Sequence, residues 1–218
     1  MAKTIGIDSA RLAILVDGPN EVVDTSYKAL GETGIFTIDA KTSEGITVGN
    51  ITGLAPTMTK VYGSDMVVET SGKGSGSVTA TLGANDIPDD VLASISGMKQ
   101  DETVGAWYLD PDSRPPYSAI EFISHDRLNN KVHFALHKGT FGPEEHNMQT
   151  NTDQPQVAVD SVTFTAVNRK SDKRVYSTIN EKDTLFKQDA WDNYVFPTAA
   201  APSGQSIALA KVPTSPKK

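Results

Sequence analysis

Strict alternation of apolar and polar residues, repeated over short segments, most narrows what this chain can fold into. Val78, Ala80 and Leu82 alternate with Thr79 and Thr81. From Lys131 to Phe141, Val132, Phe134 and Leu136 fall on one side and His133, Ala135 and His137 on the other. Successive side chains of a strand point to opposite faces, so a period of two marks a half-buried strand and does not fit an amphipathic helix. Residues 35–40 repeat the pattern, with Phe36, Ile38 and Ala40 as the apolar face. Residues 156–167 do so with Ala158, Val162, Phe164 and Ala166 on one line, broken by Asp160. Residues 11–17 (RLAILVD) read as a buried strand. Glycine, asparagine and aspartate punctuate the segments at short intervals, so a mainly β fold is predicted.

One segment departs from this period. Ile87, Val91 and Ile95 recur every four residues, with Leu92 beside them, which is the spacing of one helix face. Asp86 is placed to cap the helix, Pro88 falls in its first turn, and Asp89 and Asp90 oppose the positive end of its dipole. Gly97 stops it. A helix is therefore predicted over residues 86–97, and a weaker helical pattern runs over 184–194. Outside these elements, residues 1–10 read as an N-terminal arm and 71–77 (SGKGSGS) as a connector. Residues 197–218 read as a C-terminal arm, rich in Pro, Ala and Ser, too poor in apolar groups to order alone. Residues 11–196 are long enough for one β domain with its own core.

Residues 39–64 carry strand formers (Ile46, Val48, Ile51, Val61, Tyr62) but are interrupted by Gly45, Gly49, Gly53 and Pro56. They are predicted to form a long hairpin with too little apolar surface to support itself, which therefore packs on a partner. Its candidate contact residues are Thr42, Glu44, Ile46, Val48, Ile51, Leu54 and Met58.

The residues for chemistry do not converge. There is no cysteine, which excludes disulfides and thiolate metal sites. His133 and His137 sit about 13 Å apart on one strand face at ~3.3 Å per residue, too far to share an ion. They and His125 and His146 read as surface or interface histidines. The acidic pairs Asp89-Asp90, Asp110/Asp112 and Glu144-Glu145 fall at helix starts or turns. Residues 72–76 (GKGSG) lack the Lys-Ser/Thr pair and the following helix of a phosphate loop. The basic run 168–174 reads as a solvated turn between strands. No catalytic, cofactor or metal site is predicted. With 27 acidic against 20 basic residues the formal net charge is −7, which argues against general nucleic-acid binding. No stretch approaches the ~20 apolar residues of a membrane-spanning helix.

Several motifs occur in an order that resembles a known family. The acidic helix 87–92 ending at Gly97 is followed by residues 114–122 (RPPYSAIEF) and then residues 137–145 (HKGTFGPEE). Residues 149–153 (QTNTD) and the strand over 157–167 complete the order. Together they resemble the major tail proteins, or tail tube proteins, of long-tailed bacteriophages infecting Gram-positive bacteria, over residues 85–170. His137 stands where that family usually has an aromatic residue. The resemblance implies two packed antiparallel β-sheets, as a sandwich or half-barrel, flanked by one helix. It implies a structural, non-enzymatic subunit of the virion tail, made in the host cytoplasm. Hexameric rings would stack into a tube whose acidic channel conducts double-stranded DNA during ejection, without specific binding. Tape-measure, tail-terminator and tail-tip proteins are the implied partners. On this reading the 39–64 hairpin joins one ring to the next, and Glu69 and Glu121 are the candidate lumen residues. Two other readings use the same strands. The same tube fold could serve a contractile tail or a secretion machine. A carbohydrate-binding β-sandwich would instead need an aromatic platform, for which Trp107, Tyr108, Tyr117, Trp191 and Tyr194 are the candidates.

Overall fold

The computed structural model describes residues 4–56, 58–63, 65–72, 74, 76–101, 103–143 and 160–198. Among them the elements run β1 (Thr4–Ile14), β2 (Ile35–Ile38), β3 (Ile46–Thr52), β4 (Thr59–Gly63), β5 (Met66–Ser71), β6 (Thr79–Ala84), α1 (Asp89–Ser96), β7 (Lys99–Gln100), β8 (Trp107–Tyr108), β9 (Tyr117–Asp126), β10 (Lys131–Phe141), β11 (Asp160–Ala166), β12 (Tyr176–Asn180) and α2 (Gln188–Val195). Eight strands make one antiparallel sheet in the order β2-β1-β9-β10-β11-β6-β3, with β12 also on β10. β10 is long enough to take both neighbours: its residues 132–136 pair with β12 and 139–141 with β11.

The alternation decides which face is buried. Leu12, Ile120, Phe122, Leu136, Phe164 and Leu82 all point to one side and form the main core, where the Phe141 and Phe164 rings meet edge to face at 4.9 Å. The sheet bends over this core. β1 and β3 are separated by four strands in the sheet order, yet β3 returns against β1 and β9. Gly49 marks the approach: a Cβ there would lie 2.3 Å from Ile7 Cδ1 and 3.0 Å from Phe122 Cδ1. The two packed layers expected from the family pattern are thus two arms of one curled sheet. α1 adds Val91, Leu92 and Ile95 to the same core, each worth about 1.5–3 kcal/mol on burial.

Several boundaries differ from those read in the sequence. α1 begins at Asp89, because Pro88 occupies the cap position with extended backbone (φ −52°, ψ 133°), so Asp86 is not the cap. The carboxylate that serves this turn comes from another strand: Asp160 Oδ2 accepts the Ile87 N–H at 2.7 Å. That bond also explains the charge breaking the apolar line of residues 156–167, of which 156–159 lie outside the described residues. The weaker helical pattern over 184–194 corresponds to α2, which begins at Gln188, so two helices flank the sheet where the resemblance implied one.

Residues 4–10, expected as a free arm, are the first half of β1 and pair with β9 from Thr4↔Asp126 onward. The ladder to β9 holds them, and Ile7 and Ala10 add contacts to the main core. In the C-terminal arm, Pro197 O accepts the Val23 N–H at 2.7 Å, and residues 199–218 lie outside the described residues.

The largest difference concerns the hairpin. Ile46 pairs with Ala84, Thr52 with Thr79, Thr59 with Ser71 and Gly63 with Met66. These registers belong to one long hairpin spanning residues 46–84, with its apex between Gly63 and Met66. Residues 39–64 supply only its outgoing side. Gly49 and Gly53 read as turn signals but are close-approach glycines within the hairpin. A Cβ at Gly53, whose φ is +73°, would lie 1.8 Å from Ser77 O.

Candidate assembly surfaces

The face of the sheet turned away from the main core has two parts. Over β1, β9 and β10 it carries Ala13, Ala119 and Ala135, small enough for α2 to settle on them through Trp191, Val195 and Phe196. Arg11, Glu121 and Ala135 stand side by side in the ladder. Glu121 is fully buried (0% exposed). It accepts hydrogen bonds from Arg11 Nε at 2.6 Å and Trp191 Nε1 at 2.6 Å, and pairs with His133 Nδ1 at 2.8 Å. Arg11 also reaches Asp192 of α2 at 2.5 Å. Burial works against its cation, but the bonds to Asp192 and Glu121 outweigh that and hold its pKa above the ordinary arginine value. Glu121 is therefore not a lumen residue. Its charge is used to fasten the helix.

His133 and His137 are likewise buried rather than surface groups. His133 contacts Glu181 through Nε2 at 3.2 Å and stacks on Phe186 at 5.5 Å. His137 Nε2 meets Ser177 Oγ at 2.8 Å, and Ser177 lines a cleft of ≈ 410 Å³ together with Phe186, Trp191 and Tyr194. A serine–histidine pair beside a cleft has the outline of a nucleophile and its base. The chemistry does not follow. Burial, and then Arg169, push the His137 pKa down to about 3, so the ring is a very weak base, and its Nδ1 meets no partner among the described residues to orient it.

The basic run 168–174 is not simply a solvated turn: Arg169 is buried, bonding Asp172 and the Tyr194 carbonyl. On the same side, Lys138 Nζ meets Glu21 at 2.5 Å, both side chains buried, with Tyr117 beneath the ammonium at 4.0 Å. Glu144-Glu145, His146 and residues 149–153 lie outside the described residues.

Among the described residues, none packs over the second part of this face, on β3, β6 and β11. Its ladders run Asn50–Thr81–Thr163 and Thr52–Thr79–Thr165, and Thr140 of β10 continues the second. Thr52 and Thr79 share an Oγ–Oγ hydrogen bond of 2.9 Å. Ser161 and Thr47 also face outward, and Val48 is the apolar exception.

The candidate hairpin contacts separate in space. Thr42 closes the turn after β2, donating to the Thr37 carbonyl at 2.6 Å, and Glu44 sits exposed at φ +49° with its carbonyl bound by Asn85. Ile46 and Ile51 turn inward and pack on the main core, while Val48 lies on the uncovered face. Leu54 lines a cleft with Val78, Val175 and Tyr176 at the base of the hairpin, and only Met58 belongs to the projecting part. There the structure adds Tyr62 (67% exposed), Met66 (69%), Val67 and Val68 (70%). Tyr62 falls within the predicted 39–64 hairpin, but Met66-Val67-Val68 lies beyond its expected end and has the composition of a core strand; the signal available was Gly63 and Asp65, a turn placing that run at an apex. Glu69 stands on β5 opposite Val61, its side chain outside the description.

The aromatic platform does not assemble. Trp191 is buried and stacked on Tyr194 at 5.6 Å, while Trp107 and Tyr108 are both exposed on the separate β7–β8 hairpin, where no core imposes alternation. Among the described residues no three His, Asp or Glu groups are placed to hold a metal ion, and no helix is long and apolar enough to cross a membrane.

Residues 1–203 of the chain match the family model described as phage tail tube protein. No curated protein matches.

Proposed function

Because the chain belongs to the phage tail tube protein family, a structural and non-enzymatic family of the virion tail, we propose that six copies close into a ring. Rings then stack into the tube of a long non-contractile tail. Double-stranded DNA crosses the channel during ejection without being specifically bound. A tape-measure protein and terminator and tip proteins bound the tube, which assembles from subunits made in the host cytoplasm. The observation that carries the stacking is the projecting half of the hairpin. Two strands without a core of their own present Met58, Tyr62, Met66, Val67 and Val68 to solvent. An isolated two-stranded hairpin is marginal in water, and a contiguous exposed apolar patch marks an interaction site. The facing surface of the next ring would cover it.

Negative-stain microscopy tests this. The intact chain is expected to form tubes. A variant in which residues 58–72 are replaced by a two-residue Asn-Gly turn is expected to keep its thermal unfolding curve and form none. Tubes of normal length from that variant, or only dispersed subunits of the intact chain across salt and concentration, would contradict the proposal.

A further inference from the structure

We propose that the uncovered face of β3, β6 and β11 is the channel wall, and that this wall is lined by neutral hydroxyl and amide groups rather than by carboxylates. The inference rests on the tube reading above and names the surface that meets the passing polyanion.

A tube subunit has three kinds of surface: those covered by other copies, the outside, and the lumen. The uncovered face fits the first poorly. The centre of a protein–protein interface is enriched in aromatic residues, Met and Arg, and this face carries Asn50, Thr52, Thr79, Thr81, Thr163 and Thr165, with Val48 as its one sizeable apolar group. It fits the outside poorly as well. Solubility favours mixed charge on an outer surface, about a quarter or more of its residues, as seen over Lys182, Asp183, Lys187 and Asp189 around α2, all exposed. Among the described residues pointing outward from β3, β6 and β11 there is no Lys, Arg, Asp or Glu, although 22% of the chain is charged.

A lumen for DNA has the opposite requirement. A cation would hold phosphates by counterion release. A carboxylate would repel them with a strength that varies with salt. A flat row of threonines does neither. Each hydroxyl donates to and accepts from water, so the wall holds a hydration layer over which a hydrated phosphate backbone can slide. The ladder hydrogen bonds and the β-branched methyls hold the hydroxyls at fixed spacing, the threonine methyl packing well on a pleated surface.

The absence of cysteine from the chain gives a direct test. Thr163→Cys and Thr81→Cys, adjacent in one ladder, place a thiol on this face. In the free subunit each is expected to react with a small maleimide and with a maleimide on a long polyethylene glycol. In assembled tubes the small reagent should still react and the large one should not. Reaction with both reagents would place the face outside; reaction with neither, or loss of assembly in both variants, would make it an interface. A fluorescein maleimide at Thr163→Cys then reads the charge of the wall. At low salt its apparent pKa in tubes is expected to stay within a few tenths of a unit of its value on the free subunit. A rise of about one unit or more, the effect of nearby carboxylates, would overturn the neutral lining. If the intact chain forms no tubes, the tube reading fails; if it does and the labelling differs, only this inference fails.

Discussion

The same side of one sheet is finished in two ways. Over β1, β9 and β10 it is floored with alanine and carries Arg11, Glu121 and His133, and α2 closes over it. Over β3, β6 and β11 it carries threonine, serine and asparagine, and no described residue closes over it. The difference shows what a strand's outward residues specify. Alanine leaves room for a second layer but contributes little area, so the helix is held by its own Trp191, Val195 and Phe196 and by buried charge. Threonine satisfies itself with water and neighbouring hydroxyls, so no second layer is needed. On the first half a charge is costly unless paired; on the second there is none to pair.

The comparison can be broken most forcefully at Glu121. Glu121→Leu leaves Trp191 Nε1 and His133 Nδ1 without their acceptor and Arg11 with Asp192 alone. Urea unfolding is expected to show a loss of about 3–5 kcal/mol, as for removing one partner of a buried pair; a loss below about 1 kcal/mol would mean that the network does not fasten α2. His137 offers a pH test of the same half. Its folded pKa is depressed to about 3, whereas the unfolded ring titrates near the ordinary value of about 6.5. As pH falls from about 6.5 towards 3 the unfolded chain takes up a proton that the folded chain refuses. Stability is therefore lost across that window, by on the order of a few kcal/mol in all. His137→Phe should remove that part of the acid loss, and an unchanged urea midpoint profile between pH 7 and pH 4 would contradict the burial. The smallest effect belongs to the bare half. Thr163→Val is expected to move unfolding by no more than about 0.5 kcal/mol, and a loss of 2 kcal/mol would show that the hydroxyl is structurally engaged.

Alternation made β6, β10 and β11 legible, because it reports a buried face whatever lies on the other side, whereas β9 came only from the family pattern and the first half of β1 read as an arm. The sequence also placed the core residues of α1, since Val91 and Ile95 keep helical spacing. It did not reveal what covers the second face. Ala135 between two histidines looks like an ordinary outward position until α2, more than fifty residues later, arrives on it. The same blindness put Glu121 in a lumen: alternation places it off the core, and only tertiary structure shows the helix that buries it. The hairpin was seen but halved, because Gly49 and Gly53 signal a turn and a close approach with the same letter. Its apolar apex was hidden because Met66-Val67-Val68 has the composition of a core strand.

An electron cryomicroscopy map of assembled tubes tests both halves of the sheet and the hairpin at once. The account predicts β3, β6 and β11 lining the channel with Thr81 and Thr163 facing it, and Tyr62 and Met66 enclosed by the adjacent ring. A map with those threonines on the tube exterior or packed between copies, and the hairpin apex free in solvent, would contradict it.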